Sequence, residues 1–419
     1  MKLAATLRAT FATLRLQSQQ AQIDTDRQQE DVSALYPEAQ ALAVEICHTK
    51  VAQWLERRLV GAALLLALCV GVAVPGALAA APPAIAEKTF VAIGGIDQWV
   101  TIKGDDRANP VVLFLHGGPG NASSPFADAW YAGWEKHFTL VQWDQRGAGR
   151  TFTRNGPGVE PTMTVERMVQ DGIEVAEFLT RHLHKRKIIL VGGSWGSILG
   201  VSMAHSRPDL FQAYVGLAQM VSWRDDLVAS YVRVLELARA DGDLEAVATL
   251  TALGPPPWDS LAKWPKFHRI ERAYQAKRTT APDLPETIAA EYASAEEAAQ
   301  REAADDFSFL HFVGPTMAGP LTGVDLAPLG TDFAVPIYII QGQEDLTAAP
   351  ELARIWFDRI KAPAKHFYLV PGTGHYPSVP QMALALTVLE TEVIPQRPGR
   401  SRSKRPGASP VAAPRDHSP

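Results

Sequence analysis

Gly192-Gly193-Ser194-Trp195-Gly196 follows directly on the apolar run Ile188-Ile189-Leu190-Val191 and leads into Ser197-Ile198-Leu199. A serine set between glycines, leaving a buried strand and entering a helix, is the pattern of a nucleophile elbow. Small residues are needed at 192 and 196 because strand and helix nearly touch there, and the turn holds its serine in strained backbone. That geometry lifts the hydroxyl above the sheet edge, beside the N–H of the next residue. Glycine and serine are common, so the surrounding chain must supply the partners that such a serine needs.

Those partners are an imidazole base and a carboxylate that orients it. The strand-like run Pro336-Ile337-Tyr338-Ile339-Ile340 ends in Gln341-Gly342-Gln343-Glu344-Asp345. A second run, Phe367-Tyr368-Leu369-Val370, leads into Pro371-Gly372-Thr373-Gly374-His375. Ser194, Asp345 and His375 therefore all follow strands, in the chain order serine, acid, histidine, at the sheet edge where open α/β folds place their sites. Asp345 also suits an N-cap before the helix from Pro350, which leaves Glu344 as an alternative orienter. Of the eleven histidines, His366 falls at a strand start and His417 in a polar tail, so neither suits the base. Stabilising an oxyanion requires two backbone donors. One is the N–H of Trp195. The other is expected in His116-Gly117-Gly118-Pro119-Gly120, after the strand Val111–Leu115, where consecutive glycines let the backbone turn its N–H groups inward.

Three motifs occur in order: His116-Gly117-Gly118-Pro119-Gly120, then Asp144-Gln145-Arg146-Gly147-Ala148-Gly149-Arg150-Thr151, then Gly192-Gly193-Ser194-Trp195-Gly196-Ser197. Together they resemble the proline iminopeptidase group of serine α/β-hydrolases. The match covers roughly Glu87–Gln219 and Asp325–Val393. The resemblance implies an α/β-hydrolase fold with an inserted helical cap. It implies Ser194, Asp345 and His375 as catalytic triad, Gly118 and Trp195 as oxyanion donors, and His116 and Gly117 in support. Arg146 is read as a structural brace near the site. The implied activity is an aminopeptidase that releases N-terminal residues through an acyl-enzyme, without cofactor. A carboxylic-ester or lactone hydrolase with the same triad is the alternative. A non-catalytic hydrolase-fold binding protein would usually lack a triad member. Family members hold the substrate's ammonium group with acidic cap residues, and their usual signatures do not occur between Met220 and Gly330. That segment has Asp225, Asp226, Glu236, Glu271 and Glu291 instead.

Around the motifs the pattern predicts five regions: an N-terminal extension 1–81, a first core half 82–219, a helical insert 220–330, a second core half 331–394 and a tail 395–419. The core opens with a hairpin, Phe90–Ile93 and Trp99–Ile102 about Gly94-Gly95. Strands Val111–Leu115, Phe138–Trp143, Ile188–Val191 and Ala213–Leu217 then alternate with helices near 165–183 and 195–206, which implies a mainly parallel sheet. The insert reads as helices over Asp225–Ala240, Leu244–Leu253 and Pro285–Ala304, with Trp223, Trp258 and Trp264 as packing residues or pocket lining. The tail, rich in Pro, Arg and Ser, reads as disordered, with a basic run from Arg400 to Arg405.

A net charge of −5 over 419 residues shows no basic face suited to nucleic acid. The only cysteines, Cys47 and Cys69, precede the motif region, which excludes a disulfide, a thiol nucleophile or a cysteine metal site within it. No His/Asp/Glu spacing suggests a metal. Arg57-Arg58, the uncharged run 59–81 and Ala77-Leu78-Ala79 have the order of an export signal. The expectation is either cleavage near Ala80 or an uncleaved membrane anchor, with the catalytic region outside the cytoplasm and acting on a small peptide or ester.

Overall fold

The computed structural model describes residues 84–394. The apolar run 59–81, Cys47, Cys69 and the tail with Arg400–Arg405 lie outside the described residues. The sheet has eight strands: β1 Ile85–Ile93, β2 Ile96–Gly104, β3 Val111–Leu115, β4 Thr139–Trp143, β5 Ile188–Gly193, β6 Phe211–Leu217, β7 Ile337–Gly342 and β8 Lys365–Val370. Their order is β1-β2-β4-β3-β5-β6-β7-β8. The β1–β2 and β2–β4 pairs are antiparallel, and every pair from β4–β3 to β8 is parallel. Strands β3, β4 and β7 are buried along their whole length, as expected of parallel strands covered on both faces.

Leaving aside single turns and the 3-10 stretch Gly156–Thr162, the helices are α1 Gly149–Asn155, α2 Val165–His182, α3 Trp195–Ser206, α4 Trp223–Ala240, α5 Leu244–Leu253, α6 Trp264–Ala276, α7 Ala295–Val313, α8 Pro350–Arg359 and α9 Val379–Val388. Helix α2 starts where the Thr164 side chain accepts from the Arg167 N–H, and it turns an apolar face to the core. Helix α3 is different, buried along most of its length behind the elbow. Helices α4 to α7 lie between β6 and β7 in sequence. Helix α4 packs on α5 and α6, and α7 packs on α1. Among the described residues no helix is long and apolar enough to cross a membrane.

The insert departs from expectation at two places. The stretch from Pro285 is not helical up to Ala289; a single turn at Ala290–Tyr292 precedes α7, which runs to Val313 rather than ending at Ala304. Ser294 sets this start by accepting from the Glu297 N–H, and the Ala289 N–H goes instead to the Pro125 carbonyl. Helix α6 was not expected. Its apolar positions are interrupted by Lys266, His268, Arg269 and Arg272, although Pro265 in its first turn is a start signal. The three tryptophans pack against aromatic neighbours: Trp223 stacks on Trp264 at 6.1 Å, and Trp258 meets Phe267 at 5.3 Å.

Candidate active site

Ser194 stands between β5 and α3 with φ 51° and ψ −121°, a left-handed conformation unusual for serine. Its N–H donates to the Leu217 carbonyl at 3.0 Å, which fixes the turn against β6. The flanking glycines are sterically required. A Cβ at Gly192 would lie 2.4 Å from the Gly196 carbonyl oxygen, and one at Gly196 would lie 2.0 Å from that of Leu115. The turn leaves Oγ facing the loops beyond β7 and β8.

There Ser194 Oγ lies 2.9 Å from His375 Nε2, and His375 Nδ1 lies 3.0 Å from each carboxylate oxygen of Asp345. Neutral His375 thus accepts from the serine hydroxyl and donates to the acid. Asp345 Oδ1 also accepts from the N–H groups of Thr347 and Ala348 at 2.9 and 2.8 Å, and Oδ2 accepts from Gln341 at 3.2 Å. These donors hold the carboxylate in one orientation toward the imidazole. Glu344, the alternative orienter, pairs with Arg278 at 2.9 Å instead. Burial by itself disfavours the His375 imidazolium, but the charges of Asp345, Glu271 and Asp226 more than offset it, so His375 titrates above its ordinary range.

The glycine loop after β3 lies against the serine: a Cβ at Gly117 would be 3.4 Å from Ser194 Cβ. His116 sets this loop. The Gln145 N–H donates to His116 Nε2 at 3.2 Å, so the proton is on Nδ1, which donates to the Gly117 carbonyl at 2.9 Å. Burial pushes the ring down to about 4, keeping that neutral tautomer. In a trans peptide the C=O and N–H point opposite ways, so the grip on Gly117 O turns the Gly118 N–H away from His116. Gln145 also donates to the His116 carbonyl at 3.1 Å and accepts from Trp195 Nε1 at 2.9 Å, linking the glycine loop to the helix that follows Ser194. Trp195 is the first residue of α3, where a backbone N–H has no partner within the helix.

A family profile described as alpha/beta hydrolase fold matches residues 110–379, from the threshold of β3 to the start of α9. This chain is an α/β-hydrolase. Over 306 residues the hydrolase is 27% identical to a probable aminopeptidase, YbaC, of Bacillus subtilis (strain 168), covering 73% of this chain and 95% of the relative. A proline iminopeptidase of Lactobacillus delbrueckii subsp. bulgaricus is 24% identical over 319 residues, covering 74% and 99%. Two solved structures share the fold. VinJ has a TM-score of 0.55 at 21% identity, and a proline iminopeptidase from Mycobacterium smegmatis has 0.51 at 20%. Each covers 73% of this hydrolase, which in turn spans 98% of each.

Arg146 is fully buried in this hydrolase and makes no bond to Ser194, His375 or Asp345. It bonds Asp171 of α2 through Nε at 2.8 Å and Nη2 at 3.1 Å, with further bonds to Thr162 and the Gly94 carbonyl. It therefore ties the loop after β4 to the opening hairpin and to α2. Of the acids in the insert, Asp226 and Glu271 are buried, whereas Asp225, Glu236 and Glu291 are exposed. Glu271 on α6 accepts from Thr347 Oγ1 at 2.6 Å and Ser230 Oγ at 3.4 Å, and lies 2.6 Å from His268 Nδ1. Burial opposes its charge, but His268 and Thr347 outweigh that and hold its carboxyl below the ordinary range.

Sequence reasoning did not find the polar network behind the elbow. Ser197 Oγ donates to the Ser194 carbonyl at 2.6 Å and accepts from the Met220 N–H at 3.0 Å; the Gln219 N–H donates to Gln341 Oε1 at 2.8 Å. This sets the exit of β6 so that Met220 Sδ lies 3.9 Å from Ser194 Oγ. The available signal was position: Gln145, Gln219 and Gln341 each lie at or just past the C-terminal end of a strand.

Proposed function

We propose that this α/β-hydrolase is a serine aminopeptidase of the proline iminopeptidase type. His375 takes the Ser194 proton on Nε2 as Oγ attacks the scissile carbonyl carbon. Asp345 holds the tautomer and stabilises the imidazolium. The N–H groups of Gly118 and Trp195 receive the oxyanion. His375 then gives its proton to the departing amine. A water, deprotonated by the same imidazole, releases the acyl group from Ser194. The observation that carries this reading is the continuous Ser194–His375–Asp345 hydrogen-bond chain, at 2.9 and 3.0 Å.

For the substrate, the helices between β6 and β7 act as a cap, tied to the core where Arg150 pairs with Glu297 at 2.8 Å and lies over Tyr292. An ammonium group entering a low-dielectric cleft needs a counter-charge, without which several kcal/mol of affinity are lost. Glu271 is the buried, ionised cap carboxylate beside the acid loop and is read as that counter-charge. Its bonds to Thr347, Ser230 and His268 already occupy much of its capacity, which favours the second reading, hydrolysis of neutral acyl esters. The test compares proline arylamide with its N-acetyl derivative. The aminopeptidase reading requires the free amine to be cleaved at least about tenfold faster, one decade being about 1.4 kcal/mol. Equal rates overturn it and leave the esterase. The sequence order of 57–81 supports export or membrane anchoring of the catalytic region.

A further inference from the structure

Asp226 belongs to no motif and has no part in the proton path, yet it is buried at the junction of three pieces of the site. It lies in the first turn of α4, where the Ser222 side chain caps the helix. Its Oδ1 accepts from the Ala349 N–H at 2.9 Å and its Oδ2 from the Val221 N–H at 3.3 Å. Ala349 closes the turn whose two preceding N–H groups, Thr347 and Ala348, hold Asp345. Val221 directly follows Met220, the residue set against Ser194 Oγ. One side chain thus fixes the turn that carries the triad acid and the strand exit beside the nucleophile.

The geometry points to Asp226 as a positioning residue for the reaction, a second carboxylate whose negative charge supports the His375 imidazolium while its two oxygens hold the loops of Asp345 and Met220 in register. This rests on the reading of His375 as general base. Three carboxylates on separate elements act on His375: Asp345 after β7, Glu271 on α6 and Asp226 on α4. Glu271 is paired with His268, and Arg272 on the same helix lies over Tyr376. Arg224 and Asp225, beside Asp226 on α4, are exposed. The charges acting on Asp226 include Asp345, which opposes its ionisation, and His375, which favours it, while burial pushes the carboxyl up to about 7. Asp226 and His375 are therefore coupled: each proton that His375 takes from Ser194 makes the Asp226 carboxylate more favourable.

The test is the pH profile of kcat/KM for a neutral ester, p-nitrophenyl acetate, with Asp226→Asn and Asp226→Leu. Both variants remove the charge, so the acid limb should move to lower pH by about half a unit or more in each. Leucine also loses both acceptors, so its plateau activity should fall further than that of asparagine. A purely structural Asp226 would lower activity without moving the limb, and a limb displaced by less than about 0.2 unit in both variants overturns the proposal. Should the variants not fold, carboxyl-labelled aspartate is followed by NMR in the wild-type protein before and after phosphonylation of Ser194, which locks His375 as imidazolium. A second responding buried aspartate besides Asp345 supports the proposal, and a response confined to one aspartate refutes it. His375→Ala is the control: activity within about tenfold of wild type there would sink the triad reading instead.

Discussion

A single methyl group at position 196 should damage both fold and catalysis. A Cβ on Gly196 would stand 2.0 Å from the Leu115 carbonyl oxygen, 2.6 Å from its carbon and 2.7 Å from the His116 carbonyl oxygen. All three obstacles are backbone, so no side chain can swing aside, and the end of β3 and the start of α3 must separate by more than about 1 Å to restore ordinary contact. Overpacking of this kind costs roughly 1–3 kcal/mol, and the rigid obstacles place Gly196→Ala near the upper end. At about 1.5 °C per kcal/mol for a domain of roughly 310 residues, the thermal midpoint should fall by about 3–5 °C. The segment pushed away is Leu115–His116, whose ring holds Gly117, so the glycine loop moves with it. A displacement near 1 Å at an active site lowers turnover about a hundredfold. Gly193→Ala is the control, because its Cβ would meet nothing nearer than the Leu217 carbonyl oxygen at 3.9 Å, and its thermal midpoint should match wild type. Differential scanning fluorimetry and ester turnover on both variants decide the matter. A Gly196→Ala protein with wild-type midpoint and turnover would refute the argument that strand and helix meet backbone to backbone at the elbow.

Arg146→Met leaves Asp171 buried with only the partly exposed Arg167 beside it, so urea denaturation should show a loss of about 3 kcal/mol, and a loss under 1 kcal/mol would contradict the bracing role. Glu271→Gln should lower kcat/KM for proline arylamide at least about tenfold while leaving p-nitrophenyl acetate within about threefold; equal loss on both would remove Glu271 from amine recognition. His375 must be neutral to accept a proton, and its neighbours hold it above the ordinary imidazole range, so kcat/KM should fall as pH drops through a value above 6.5; an acid limb below that contradicts the environment described. N-terminal sequencing of the expressed protein should give a start near Ala80, or a full-length chain in the membrane fraction; a cytosolic chain retaining 59–81 would contradict both.

The elbow was legible because its requirement is local: two glycines with no room for Cβ and a strand on one side leave a signature five residues long. The positions of Asp345 and His375 followed from strand order, since each comes just after an apolar run at the same sheet edge. The sequence pointed to Asp345 and left its neighbour Glu344 as the alternative. What separates them is the neighbourhood that each finds in the fold, Arg278 for the first and the Thr347 and Ala348 N–H groups for the second. Helix α6 was missed because its charged residues blur the apolar period, and part of its inward face is polar, with Glu271 and Gln275 serving the acid loop. The boundary of α7 was missed for a similar reason. Alanine and glutamate between 286 and 304 are good helix formers, but Ser294 and the contact of Ala289 with Pro125 decide where the helix begins. Asp226 stood in the sequence only as one of several acids in the insert, and nothing marked its place beside the acid loop, because an acid in the first turn of a helix ordinarily serves the helix dipole in solvent.

Catalysis by this hydrolase requires Ser194 to be a nucleophile activated by His375. Treatment with a fluorophosphonate followed by peptide mass mapping tests this most directly. The expected result is one adduct per chain on Ser194, absent in Ser194→Ala and strongly slowed in folded His375→Ala. An unmodified folded protein, or an adduct on any other residue, would contradict it.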